Sequence, residues 1–76
     1  MSELRIIKER RFYDEHGTKK FALLEEGQTV KIDSHPRSGS GPLLCRVVNP
    51  SEASKDFGVH DGMLVEVDWD FLGLEL

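Results

Sequence analysis

A chain of 76 residues is read as one small domain spanning residues 1–76, which buries only roughly 60–65% of the surface its unfolded form exposes. That size excludes a second domain and argues against a catalytic pocket enclosed within a monomer, while 38% hydrophobic and 32% charged residues exclude a disordered tail. The net charge of −4 is unevenly divided: residues 1–38 carry eight Lys/Arg against seven Asp/Glu, and residues 39–76 carry two against seven, so the acidic C-terminal half favours a basic partner over an acidic one.

Residues 3–13 form a mixed pattern that allows a short helix but is read in preference as a strand, with Leu4, Ile6 and Phe12 on one face and Lys8 and Arg10 interrupting it. Asp14-Glu15-His16-Gly17 then supplies a turn with a glycine available for positive φ, and residues 19–25 return as the second arm of a hairpin. Glu26-Gly27 turns again into residues 29–33, where Val30 and Ile32 face inward. Residues 34–42 hold three Ser, two Gly and two Pro, a composition that no regular element tolerates. A long loop of this kind on a rigid scaffold is a place for contacts, which marks His35 and Arg37 as candidates.

Residues 43–49 resume as a strand with Leu43, Cys45 and Val47 inward, ended by Asn49-Pro50. One short helical turn follows near residues 51–57, with Ser51 as N-cap, Gly58 as its C-terminal stop and Phe57 expected to pack on the sheet. Residues 63–71 then alternate strictly: Met63, Val65, Val67, Trp69 and Phe71 on one side, Glu66, Asp68 and Asp70 on the other. As a single strand this would bury Trp69 and set three carboxylates in a row about 6.6–6.8 Å apart. Residues 71–76 add a last short strand or cross the end of the fold. The pattern predicts a mainly β protein, a small antiparallel barrel or curved sheet of five to six short strands, of SH3-like or OB-like size. Closure of such a sheet would bring its terminal strands together. Arg5, Lys8, Arg10 or Arg11 would then face the carboxylate row and neutralise it by cross-strand ion pairing.

The chemistry-bearing residues are sparse. His16, His35, His60 and Cys45 are too widely separated for the close ligand spacing of a structural zinc site. Gly39-Ser40-Gly41 lacks the Lys-Ser/Thr of a phosphate-binding loop, and Asp56-Phe57-Gly58 matches a kinase tripeptide in a chain too short to be a kinase. Cys45 points inward, and neither Ser38 nor Ser40 has a base at nucleophile spacing. Neither enzymatic activity, a metal nor a cofactor is expected. No apolar run approaches a membrane span, the opening Met1-Ser2-Glu3 lacks the order of a signal peptide, and a lone cysteine agrees with a reducing compartment. A cytoplasmic location is the expectation.

These features predict a protein-binding module that acts by occupancy. Its acidic strand face (Glu66, Asp68, Asp70), flanked by His35 and Arg37, would meet a basic protein surface, such as that of a nucleic-acid-binding protein inhibited by mimicry of its ligand. The alternative is a small barrel that binds RNA or DNA through Arg10, Arg11, Lys19 and Lys20. A homodimer completed through an exposed edge strand is a third possibility.

Overall fold

The computed structural model describes residues 3–34 and 41–74. Seven strands, β1 (Glu3–Ile7), β2 (Arg11–Glu15), β3 (Phe21–Leu24), β4 (Thr29–Ser34), β5 (Leu43–Val47), β6 (Leu64–Val67) and β7 (Leu72–Leu74), are joined by one short helix, α1 (Glu52–Asp56), and a 3₁₀ turn (Trp69–Phe71). They form a single sheet in the order β3-β2-β6-β5-β4-β1-β7, and every pairing is antiparallel. The protein is therefore mainly β, as its alternating patterns predict. The hydrogen-bonded ladder is open between its outer strands β3 and β7. No helix among the described residues is long and apolar enough to cross a membrane.

Strand number exceeds the predicted five to six by one. The segment predicted as one strand over residues 3–13 is two, because the exposed Lys8, Glu9 and Arg10 turn a corner between them. The Ile7 amide donates to the Gln28 carbonyl and the Lys8 amide to the Phe71 carbonyl, which ties the end of β1 to β4 and β7 while β2 leaves to pair with β3 and β6. The burial phase of β1 also differs from expectation: Ile7 is fully buried, whereas Leu4 is 41% exposed. Residues 72–74 form the last short strand allowed for in residues 71–76, and it pairs with β1, so the first and last strands lie side by side.

The inward face carries Tyr13, Ala22, Leu24, Val30, Ile32, Leu43, Cys45, Val47, Val65 and Val67. Val30, Ile32, Leu43, Cys45 and Val47 thus hold the predicted phase. Alternation fails beyond Val67. In the register that sets Val67 against Leu43, and with the Val47 amide bonded to the Met63 carbonyl, the next hydrogen-bonding pair would match Trp69 with Gly41. Gly41 has φ +96 and turns the chain out of the strand, so β6 has no partner there. The Phe71 amide instead donates to the Asp68 carbonyl, and the Leu72 amide to the Trp69 carbonyl. Trp69 is consequently 47% exposed, contrary to its predicted burial, with the Arg5 guanidinium 6.0 Å from its ring centre, and Phe71 takes the place at the core margin.

The helical turn lies where the capping residues put it: Ser51 Oγ accepts from the Ser54 amide at 3.2 Å, and Gly58 follows at φ +86. Its main contact is with β3. Fully buried Ser54 donates from Oγ to the Leu23 carbonyl at 2.6 Å, occupying an acceptor on the outer strand that would otherwise be open to another chain. Ser54→Ala should lower stability by roughly 1–3 kcal/mol, the cost of leaving a buried acceptor unmet. A fall in urea midpoint at unchanged denaturant slope checks this.

Candidate functional site

The outer face of the sheet follows from the same registers. Tyr13 and Glu15 of β2 point to the core side with Val65, so Phe12 and Asp14 point outward. Across the ladder, Phe21 of β3 lies opposite Asp14, Asp14 opposite Glu66 of β6, and Glu66 opposite Leu44 of β5. Two carboxylates are therefore immediate cross-strand neighbours. The His16 amide bonds to the Leu64 carbonyl, which makes Asp14 and Glu66 a hydrogen-bonded type of pair with Cα atoms about 5.5 Å apart. Like charges in that arrangement destabilise a sheet.

No Lys or Arg relieves them among the described residues. Among the described residues, the ionisable contact of Glu66 is His16 Nδ1 at 3.4 Å. The cross-strand ion pairs expected from the N-terminal basic residues are not formed, because β6 pairs with β2 and β5 rather than with β1. Arg5 pairs with Glu3 of its own strand, Arg10 with Glu25 at 2.9 Å, and Lys8 packs its stem against Gly73. Arg11 makes no ion pair with Asp14 or Glu66; its guanidinium carbon stands 4.4 Å from the centre of the Phe71 ring, at the lining of the cleft between β2 and β6.

The predicted acidic row is only partly assembled. Beyond the Asp14–Glu66 pair the β2–β6 ladder stops. The same register would next set Phe12 against Asp68, and that pair is absent, so the strands splay. The resulting cleft of about 280 Å³ includes Phe12, Asp14, Phe21, Glu66 and Asp68 in its lining. Asp70 sits in the 3₁₀ turn and does not line it. His35 and Arg37 lie outside the described residues. The alternative basic set is dispersed: Arg10 and Arg11 stand at one end of the β2–β3 hairpin, Lys19 and Lys20 at the other.

Four residues of this surface were not legible as site residues. Asp14 reads as part of a turn. Phe12 and Phe21 read as core, and Phe57 as packed on the sheet. They are instead 53%, 62% and 58% exposed, and the Phe12 and Phe57 rings meet edge to face at 5.5 Å between centres. Periodicity carried no signal for them, since both phases of β2 and β3 are apolar; the structure gives the inward positions to Tyr13, Ala22 and Leu24, which leaves Phe12 and Phe21 facing out.

Buried titratable groups lie on the opposite, core side. Burial, reinforced by the Asp33 carboxylate, pushes the Cys45 thiol up to about 11. Burial also raises the Tyr13 phenol to about 12, against the pull of Arg11. Its hydroxyl donates to the Glu9 carbonyl at 2.9 Å. Both groups keep their protons more tightly folded than unfolded, so the stability they contribute is whole below pH 9 and falls as pH rises through about 11 and 12. The loss is on the order of 2–3 kcal/mol for each group at full ionisation. Thermal melts from pH 8 to 12 should show it, and Cys45→Ala should remove the cysteine share. A second outcome follows from the paired carboxylates: Asp14→Asn should raise stability by roughly 0.2–1 kcal/mol, read as a higher melting temperature at neutral pH and low salt. No protein-family model, curated protein or solved structure matches the chain.

Proposed function

We propose that the chain is a protein-binding module that acts by occupancy, with the acidic and aromatic outer face of β2, β3 and β6 as its recognition surface and a basic protein surface as its partner. The observation that carries this proposal is the direct opposition of Asp14 and Glu66 beside exposed Phe12 and Phe21. Stability does not account for that arrangement, since like charges repel and exposed rings forgo burial worth about 1.5–3 kcal/mol each. An apolar patch with a charged rim is the anatomy of an interaction site, and carboxylates that outnumber Arg11, the one Lys or Arg among the described residues lining their cleft, steer a cationic partner.

The finer fold proposed with it is a strongly curved, barrel-like sheet. The Tyr13 and Phe71 rings meet edge to face at 6.1 Å, a contact that brings the segment entering β7 back toward β2. Mimicry of a nucleic-acid backbone has less support, because the even carboxylate spacing it needs ends at Val67. Direct binding of nucleic acid through Arg10, Arg11, Lys19 and Lys20 has less support too: Arg10 is paired with Glu25 and the four do not converge. A dimer through β3 is opposed by α1, which covers that edge.

The test compares the wild-type protein with the triple variant Asp14→Asn, Glu66→Gln, Asp68→Asn as baits in nuclease-treated and untreated lysates of the native host. The variant should stay folded by circular dichroism. It should lose a basic protein that wild type captures in both lysates, with slower association and a weaker salt dependence when that protein is purified. Equal capture by both baits, or recovery of nucleic acid alone, overturns the proposal.

A further inference from the structure

Phe21 divides two clefts. On one side is the splay between β2 and β6, about 280 Å³, bounded by Asp14, Glu66 and Asp68. On the other is a cleft of about 250 Å³, lined by Phe57 and Met63 together with His60, Glu15 and Lys20. The first is acidic: its three carboxylates outnumber the single guanidinium of Arg11, which is held at the cleft's lining over the Phe71 ring. The second has an aromatic and thioether wall, with one acid and one base on its rim.

From this juxtaposition, and resting on the recognition surface proposed above, we infer that the partner is engaged through an extended peptide segment that crosses Phe21, placing a Lys or Arg side chain in the acidic cleft and a neighbouring apolar side chain against Phe57 and Met63. Each cleft is smaller than the roughly 300–1,000 Å³ of a usual small-molecule site, and a single ring separates them, which suits two side chains of one segment. A cation in the first cleft meets carboxylates beside the rings of Phe12 and Phe21, and attraction of a cation to an aromatic face adds to ion pairing. The backbone also offers a handle. The His16 amide points to β6, so Phe12, four residues earlier on the same strand, directs its N–H and C=O the same way, into the gap where its ladder pair is absent. An extended segment is able to hydrogen-bond there as an added strand does.

The experiment selects a random dodecapeptide display library on the immobilised full chain, then titrates the consensus peptide against wild type, Phe57→Ala, and Glu66→Gln with Asp68→Asn, each checked for folding by circular dichroism. Peptides that join a basic residue to a neighbouring apolar one are expected. Phe57→Ala should weaken the consensus peptide about tenfold with its salt dependence retained. The carboxylate variant should weaken it about tenfold and flatten that dependence. Selection of basic residues alone, or unchanged affinity in Phe57→Ala, overturns the two-cleft inference and leaves the acidic surface standing. Peptides without basic residues, or no enrichment, overturn both.

Discussion

Burial of Val65 and Val67 between β2 and β5 is the constraint on which the remaining surface depends. Side chains on a strand alternate with a period of two, so a slip of one residue would put these valines in water. With both fully buried, Glu66 has no choice but the outer face. The register with β2 then decides its neighbour there, and that neighbour is Asp14. The packing that holds the core together and the charge repulsion on the surface are thus two sides of one register. A mutation that relieves the second need not touch the first.

Where β6 loses its partners, the site opens. Gly41 takes the chain out of β5 at one side, and β2 diverges at the other. The 3₁₀ turn that follows meets the hydrogen-bonding needs of residues 68–72 locally, without either strand. The cleft exists because two ladders end together at Val67 and Glu66. Across Phe21 the neighbouring cleft is lined by Phe57, which follows α1 and meets Phe12 edge to face, while Ser54 of α1 bonds the β3 edge. A helix too short to be stable alone is held there by the sheet and in return presents a ring to solvent.

The core was legible because β4, β5 and the start of β6 alternate cleanly and leave one apolar phase to bury. In β2 and β3 both phases are apolar: Phe12 competes with Tyr13, and Phe21 and Leu23 with Ala22 and Leu24. Periodicity alone does not rank them. Leu23 is buried by α1, a tertiary event, while Phe12 and Phe21 are not covered in the same way. Residues 63–71 show the converse failure, since perfect alternation extended past the point where neighbouring strands exist to satisfy it. Lys8 and Arg10 fall out of phase at residues 8–10, but a strand pattern runs through them, so periodicity does not locate the corner or the place of the N-terminal basic residues relative to Glu66.

Charge illustrates the same limit at larger scale. Along the chain the acidic excess belongs to residues 39–76, yet the residue that makes the surface distinctive, Asp14, comes from the half with a net positive sum. In that half, Glu3 and Glu25 engage Arg5 and Arg10, while Arg11 stands over the Phe71 ring at the lining of the cleft. The cations nearest in sequence to Asp14 are therefore spent locally, and Asp14 is left beside Glu66 of the acidic half. The potential of this face arises from which carboxylates the ladder brings together after the local pairs have formed, so a net charge of −4 understates it. Screening over roughly 8 Å at physiological ionic strength makes such immediate neighbours, rather than the total charge, the determinant of what the face attracts.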